Sequence, residues 1–217
     1  ALLVIFQPEL RRALEQLGSS TFTKMFGMDK SLRDKTKEDI YKVAIATQEL
    51  AKTKTGALIV FERDIKIQDI IETGVEINSV VSPQLLVNIF VPNTPLHDGA
   101  VVIANNQIVS AACILPLTDD KEMARGLGTR HRAAIGISKE SDAVVVVVSE
   151  ETGKVSIAKD GTLIADVSED ALKRILMKHL VTARFGSEER TTRMSKLRGK
   201  VQAEKKKLQE KKANRNK

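Results

Sequence analysis

The 217-residue sequence has no tryptophan, one tyrosine and six phenylalanines. So few rings argue against the aromatic platforms on which single-stranded nucleic acids stack. There is one cysteine, Cys113, so no internal disulfide can form, and a reducing compartment suits the chain. Set among Ala111, Ala112, Ile114 and Leu115, Cys113 reads as buried packing rather than as a reactive thiol. No stretch reaches the roughly 20 apolar residues that a bilayer-spanning helix needs. A Walker-type phosphate loop, a glycine-rich dinucleotide fingerprint and zinc-ligand spacing are all missing, so P-loop and Rossmann readings have no support. No internal repeat is visible.

What is present starts with charge. The formal net charge is +7, but residues 187–217 alone hold 12 Lys+Arg against 4 Asp+Glu, which leaves the other 186 residues at −1. The globular part is therefore near neutral and only the tail is basic. Such a tail leaves open a second reading, a binding module for nucleic acid or anionic membrane that works through residues 187–217. Near-neutrality and the scarcity of rings count against nucleic acid as the main partner. The opening run, Ala1 to Phe6, lacks the charged flank of a signal peptide. By itself it reads equally as the last turns of something apolar or as a segment that packs on the core.

Between these ends, strands and helices alternate. Gln7 to Leu17 reads as a helix, residues 19–37 as a loop, and Thr36 as the N-cap of a helix running to about Lys52. Ala57–Phe61 is a continuous apolar run suited to a central strand. Ile67–Glu72 is a short amphipathic helix, and Ser82 with Pro83 opens another that reaches about Phe90. Ala100–Ala104 and Gln107–Leu115 flank Asn105-Asn106, whose tolerance of positive φ marks a hairpin. After a polar loop from Thr118 to Gly128 come a helix from Thr129 to Ser138, the five valines 144–148, and strands at Lys154–Ala158 and Thr162–Ala165. Ser168 caps a last helix through about Val181. The expected fold is α/β (α+β), a mixed parallel and antiparallel central sheet flanked by helices.

Three short stretches carry the candidate chemistry. In His97-Asp98-Gly99-Ala100, Gly99 lets the backbone approach a ligand, and Asp98 stands at a strand entrance, where it could bind a divalent metal or take a proton from a hydroxyl. A solvated Asp-Gly turn is the plainer alternative. About thirty residues on, Gly128-Thr129-Arg130-His131-Arg132 puts Thr129 at the N-cap of a helix, whose free N–H groups attract anions. Arg130 and Arg132, two residues apart, stand about 200° apart around a helix, so one serves phosphate and the other an interface or ion pair. A solvated basic first turn stays open. Ser149-Glu150-Glu151 follows the valine strand, where α/β sheets place ligands, and Glu150 could supply a further metal contact. A charged turn is its alternative. His179, within the last helix, reads as structural.

Together these stretches, with Gly56-Ala57-Leu58-Ile59-Val60-Phe61-Glu62, resemble the diadenylate cyclase (DAC) domain, and within it the membrane-anchored, CdaA-type class. The resemblance covers roughly Gln7 to Val181. It implies a nucleotidyltransferase that condenses two ATP into cyclic di-AMP and two diphosphates at a face-to-face homodimer, with Mn²⁺ or Mg²⁺. By motif, Asp98, Gly99, Arg130 and His131 would be catalytic. Leu58, Ala100, Ile114, Leu115, Gly128, Thr129, Arg132, Ser149 and Glu150 would bind substrate, and His97, Asp98 and Glu150 the metal. Ile114 stands where relatives often carry tyrosine beside the adenine. The resemblance also implies an anchor ending at residues 1–6, a catalytic domain over 7–186 and a tail over 187–217. It places the enzyme at the cell membrane with its catalytic domain on the cytoplasmic side, this piece being soluble. A membrane-bound regulator and a phosphoglucosamine mutase are implied partners.

Overall fold

The two most apolar runs of the chain lie in the middle of its sheet. The computed structural model describes residues 29–118 and 127–182. In chain order these form α1 (Asp29–Lys52), β1 (Ala57–Phe61), α2 (Gln68–Ile71), β2 (Val75–Val80), α3 (Pro83–Ile89), β3 (Ala100–Ala104) and β4 (Gln107–Cys113). There follow α4 (Thr129–Glu140), β5 (Val144–Val148), β6 (Val155–Lys159), β7 (Thr162–Ile164) and α5 (Glu169–Leu176), which continues as a π-helical turn over Met177–Thr182. The strands make one seven-stranded sheet in the order β2-β4-β3-β1-β5-β6-β7. β1 and β3 run parallel, and the other neighbours are antiparallel. The mixed sheet with flanking helices is the expected fold.

Strand alternation explains why β1 and β5 are apolar throughout. Ile59, Phe61, Val144, Val146 and Val148 point into a core shared with Ile40, Val43 and Leu50 of α1, Leu86 of α3 and Leu172 and Leu176 of α5. Leu58, Val60, Val145 and Val147 point the other way, onto Ala133, Ala134 and Ile137 of α4. With both faces covered, a single polar residue in either strand would be buried without water. Among the described residues, no helix is long and apolar enough to cross a membrane.

Several expectations need correction. Residues 29–37 are helical rather than a loop, and Thr36 lies inside α1, its hydroxyl donating to the Leu32 carbonyl at 2.9 Å. Only Leu32 of this charged turn packs against the core, so the stretch shows no apolar period to read. β2 was not expected. It is a sheet-edge strand with Asn78 at φ +48° and a register shift between Glu76 and Ser79, which together scramble the two-residue alternation. The hairpin turn is as expected, with Asn105 and Asn106 at φ +49° and +63°. Ser82 and Ser168 cap their helices, accepting from the N–H groups of Leu85 and Ala171. The helix at Gln7–Leu17, the segments 1–6 and 187–217, and residues 119–126 of the polar loop lie outside the described residues.

Asp39 ties α1 to the hairpin. It is 3% exposed and accepts a 2.8 Å hydrogen bond from Asn106 Nδ2. Burial raises its pKa, and the Asn106 bond opposes the rise only in part. The fold thus favours the protonated acid. That contribution is complete below about pH 4, the unfolded value, and is lost as pH rises through the folded value. Asp39→Asn keeps a neutral acceptor for Asn106. It should raise Tm by about 2–4 °C at pH 7 and change it little at pH 3.5. Thermal melts at the two pH values check this, and an unchanged Tm at pH 7 would mean that the ionised form costs the fold nothing.

Candidate active site

One edge of the sheet gathers the three motifs because of strand direction. β1 and β3, being parallel, both begin there. β5 is antiparallel to β1, with Ala57 opposite Val148, so β5 ends there. β4 ends there too, with Cys113 opposite Ala100. Gly56, the His97-Asp98-Gly99 stretch, Ile114-Leu115 and Ser149-Glu150 therefore share one rim. At a spacing of about 4.8 Å per strand, Asp98 before β3 and Glu150 after β5 stand roughly 10 Å apart along it.

The approach to β3 is fixed by Gly99. Its φ is +125°, and a Cβ there would lie 2.6 Å from the carbonyl carbon of Ala112 and 2.8 Å from the Cys113 oxygen. Ala112 itself is at φ +55°, in the irregular stretch of β4. Pressed against this bulge, the backbone holds Asp98 exposed at the rim. His97 is half-buried, with Nδ1 2.5 Å from the Thr94 carbonyl oxygen. A carbonyl only accepts, so Nδ1 is a proton-bearing nitrogen and Nε2 is the one that faces away from this bond.

The helix α4 brings its first turn to the same rim. Its N-cap is Gly128, not Thr129, which is the first helical residue. Gly128 offers no side-chain acceptor, so the first-turn N–H groups are left for a ligand or water. Arg130 reaches Glu150, Nη1 to Oε2 at 2.5 Å. Burial pushes the pKa of His131 below its ordinary value, partly offset by Glu151. Arg132 turns away as the 200° separation requires: its Nη2 donates to the Thr118 carbonyl at 3.5 Å, and its own carbonyl accepts from Thr118 N–H at 3.2 Å. Arg132 thus clasps the chain that leads into the loop before α4.

A cleft of about 200 Å³ runs between this first turn and the β5–β6 turn. It brings together Gly128, Thr129, Arg130, His131, Ser149 and Glu150 of the expected site. His97, Asp98 and Gly99 stand on the same rim outside the cleft lining. Leu58, Ala100 and Leu115, at 3%, 0% and 8% exposure, are core residues beneath α4, whereas Ile114 is 70% exposed beyond β4. The Ile114 N–H donates to Thr73 Oγ1 at 2.9 Å. Glu151, Lys154 and Ser156 also line the cleft. The last two carry no motif signal, since only the β5–β6 pairing brings them there. Gly56 matters for what it lacks: a Cβ would lie 2.7 Å from Arg130 Nη1 and 2.9 Å from Glu150 Oε2.

Comparison with known proteins follows the same residues. The family described as "DisA bacterial checkpoint controller nucleotide-binding" (DAC) matches residues 44–163, more than half of the chain. The chain belongs to the DAC family. Every residue of the rim described above falls within the match. A diadenylate cyclase from Listeria monocytogenes is 51% identical over 182 residues, covering 84% of this chain and 66% of the relative. The cyclic di-AMP synthase CdaA of Bacillus subtilis is 52% identical over 177 residues, covering 81% of this chain and 64% of the relative. The chain thus spans just under two thirds of the length of each. Among solved DAC-family structures, a double-cysteine mutant of DacA from Staphylococcus aureus is similar at TM-score 0.64 and 48% identity, covering 65% of this chain and 95% of that one.

Among the described residues, no three metal-binding side chains cluster. The donors along the rim nevertheless suit Mg²⁺ or Mn²⁺. Such ions commonly take one or two carboxylates and complete their shell with substrate phosphates and water. Glu150 is largely exposed at the rim, and His97, its Nδ1–H held by a carbonyl, leaves Nε2 as the nitrogen a metal would take.

Proposed function

We propose that this protein is a diadenylate cyclase, joining two ATP into cyclic di-AMP with release of two diphosphates. The observation that carries the reading is the single rim on which Asp98 and the Arg130–His131–Glu150 cleft stand about two strands apart. A carboxylate at one end and donors at the other match a nucleotide with its hydroxyl at one end and phosphates at the other. The reading is further supported by membership of the DAC family and by relatives named for this activity.

In this mechanism the first turn of α4 and Arg130 hold the triphosphate, with His131, kept neutral by burial, donating a hydrogen bond. Asp98 accepts the proton of a ribose 3′-hydroxyl. The freed oxygen attacks the α-phosphorus of the second ATP, and the bond from that phosphorus to the β-bridging oxygen breaks. The electron pair leaves with the diphosphate. His97 and Asp98 at one end of the rim and Glu150 at the other are the residues that would meet divalent cations, which when bound would neutralise phosphate charge. Each chain presents one carboxylate end and one cleft. Closing a ring with two new phosphodiester bonds therefore takes two chains, rim to rim. We assign catalysis to residues 7–186 and place this catalytic domain on the cytoplasmic side of the membrane. A membrane-bound regulator and a phosphoglucosamine mutase remain the proposed partners.

Incubation with ATP and Mn²⁺ should yield cyclic di-AMP and diphosphate in a 1:2 ratio, by chromatography. The rate should rise faster than linearly with protein concentration and vanish with chelator. Failure to bind ATP would sink the reading.

A further inference from the structure

Most buried polar side chains among the described residues have partners. Among the described residues less than a tenth exposed, Asp39 is held by Asn106, Thr47 by the Val43 carbonyl and Ser110 by the carbonyls of Ile71 and Val75. Ser138 and Ser141 bond to carbonyls of α4, and Thr118 is likewise engaged. Ser156, 2% exposed, has no partner for its hydroxyl among the described residues. The Ser156 oxygen is not sealed from solvent; it opens on the cleft, where water or a ligand can meet it.

The direction of that hydroxyl follows from the strand. Val155 and Ile157 pack toward α1, whereas Ala158, and Val147 directly opposite Ser156 on β5, pack toward α4. Ser156 therefore faces α4 and forms the floor of the cleft at that helix's N-terminus. The acids around the cleft are engaged: Glu150 has Arg130, Asp166 has Lys154 at 2.6 Å, and Glu151 acts through space on the half-buried His131. What the cleft offers unpaired is donors, namely the uncapped N–H groups of α4 from above and the Ser156 hydroxyl from below. Donors converging from two sides suit a phosphoryl group rather than a sugar or a base.

We propose that Ser156 is a phosphate-binding residue, its hydroxyl donating to an oxygen of the β- or γ-phosphate of ATP and then to the diphosphate that leaves. This rests on the nucleotide reading above and adds to it a contact to the part of the substrate that does not react. Ser156 exchanges no proton.

Ser156→Ala tests it by calorimetric titration with inorganic diphosphate and, separately, with AMP, each with Mg²⁺, beside melting of the free protein. Diphosphate should bind about five- to tenfold more weakly than to the parent, the loss of one hydrogen bond. AMP affinity should not change, and Tm should hold or rise, because no bond within the protein is lost. Equal diphosphate affinity in parent and variant, with ATP still bound, would overturn the inference and leave the cyclase reading standing. A lower Tm with AMP and diphosphate weakened alike would make Ser156 a structural residue and overturn it too. A parent that binds neither ATP nor diphosphate would sink the nucleotide reading, and this inference with it.

Discussion

Asp98→Asn should bind ATP as the parent does and make cyclic di-AMP about 10²–10⁴-fold more slowly, the usual worth of a positioned general base. The substitution changes one atom and no volume. Asp98 is exposed, and among the described residues it makes no hydrogen bond or ion pair, so its loss leaves nothing buried and unpaired. Tm should therefore move by no more than a surface substitution does. The amide cannot take the 3′-hydroxyl proton. It also offers a metal a weaker ligand, so Mn²⁺ dependence should shift with the rate. Product chromatography and ATP titration, run on the same preparation, separate chemistry from binding. A variant that retains most of the parental rate would remove Asp98 from the mechanism. Gly99 would not serve as this control, because any side chain there meets the Ala112 backbone at positive φ and confounds folding with chemistry.

Much of the fold was legible because its signals are local and strong. The apolar runs 57–61 and 144–148, the Asn105-Asn106 turn and the caps at Ser82 and Ser168 each declare an element within a few residues. The first turns of α1 were hidden, since only Leu32 among its charged residues touches the core. β2 was hidden by its bulge and by the solvent on its outer side. The site divided in the same way. Asp98-Gly99 and Arg130-His131 are contiguous motifs and could be read directly. The opposite orientations of Arg130 and Arg132 followed from helix geometry alone. Leu58 and Leu115, expected by motif beside the nucleotide, are packed in the core under α4, Leu58 from β1 and Leu115 from just past the end of β4. The space over Gly56 and the lone hydroxyl of Ser156 depend on partners 74 or more residues away in one case and on strand register in the other, and neither leaves a trace in local sequence.

Gly56 is the position at which a side chain should do the most harm to binding with the least harm to folding. Its backbone is not at positive φ, so a larger residue brings no conformational strain. What a Cβ would meet is the tips of two side chains, Arg130 Nη1 at 2.7 Å and Glu150 Oε2 at 2.9 Å, and tips can move aside. Moving aside is the damage. Arg130 is the cation proposed to meet the triphosphate, and Glu150 an acid proposed to meet the metal. Gly56→Ala should weaken ATP binding about tenfold and Gly56→Val about a hundredfold, the range expected when a charge-assisted contact is misplaced and then lost. Tm should fall by only a few degrees in either. Glu150→Gln supplies the internal comparison: it frees Arg130 without crowding it, so ATP binding without metal should hold or tighten while the metal-dependent gain disappears. If Gly56→Val binds ATP with parental affinity, the pair beside it is a rim contact with no part in holding the nucleotide, and the phosphate end of the site must lie elsewhere on the edge.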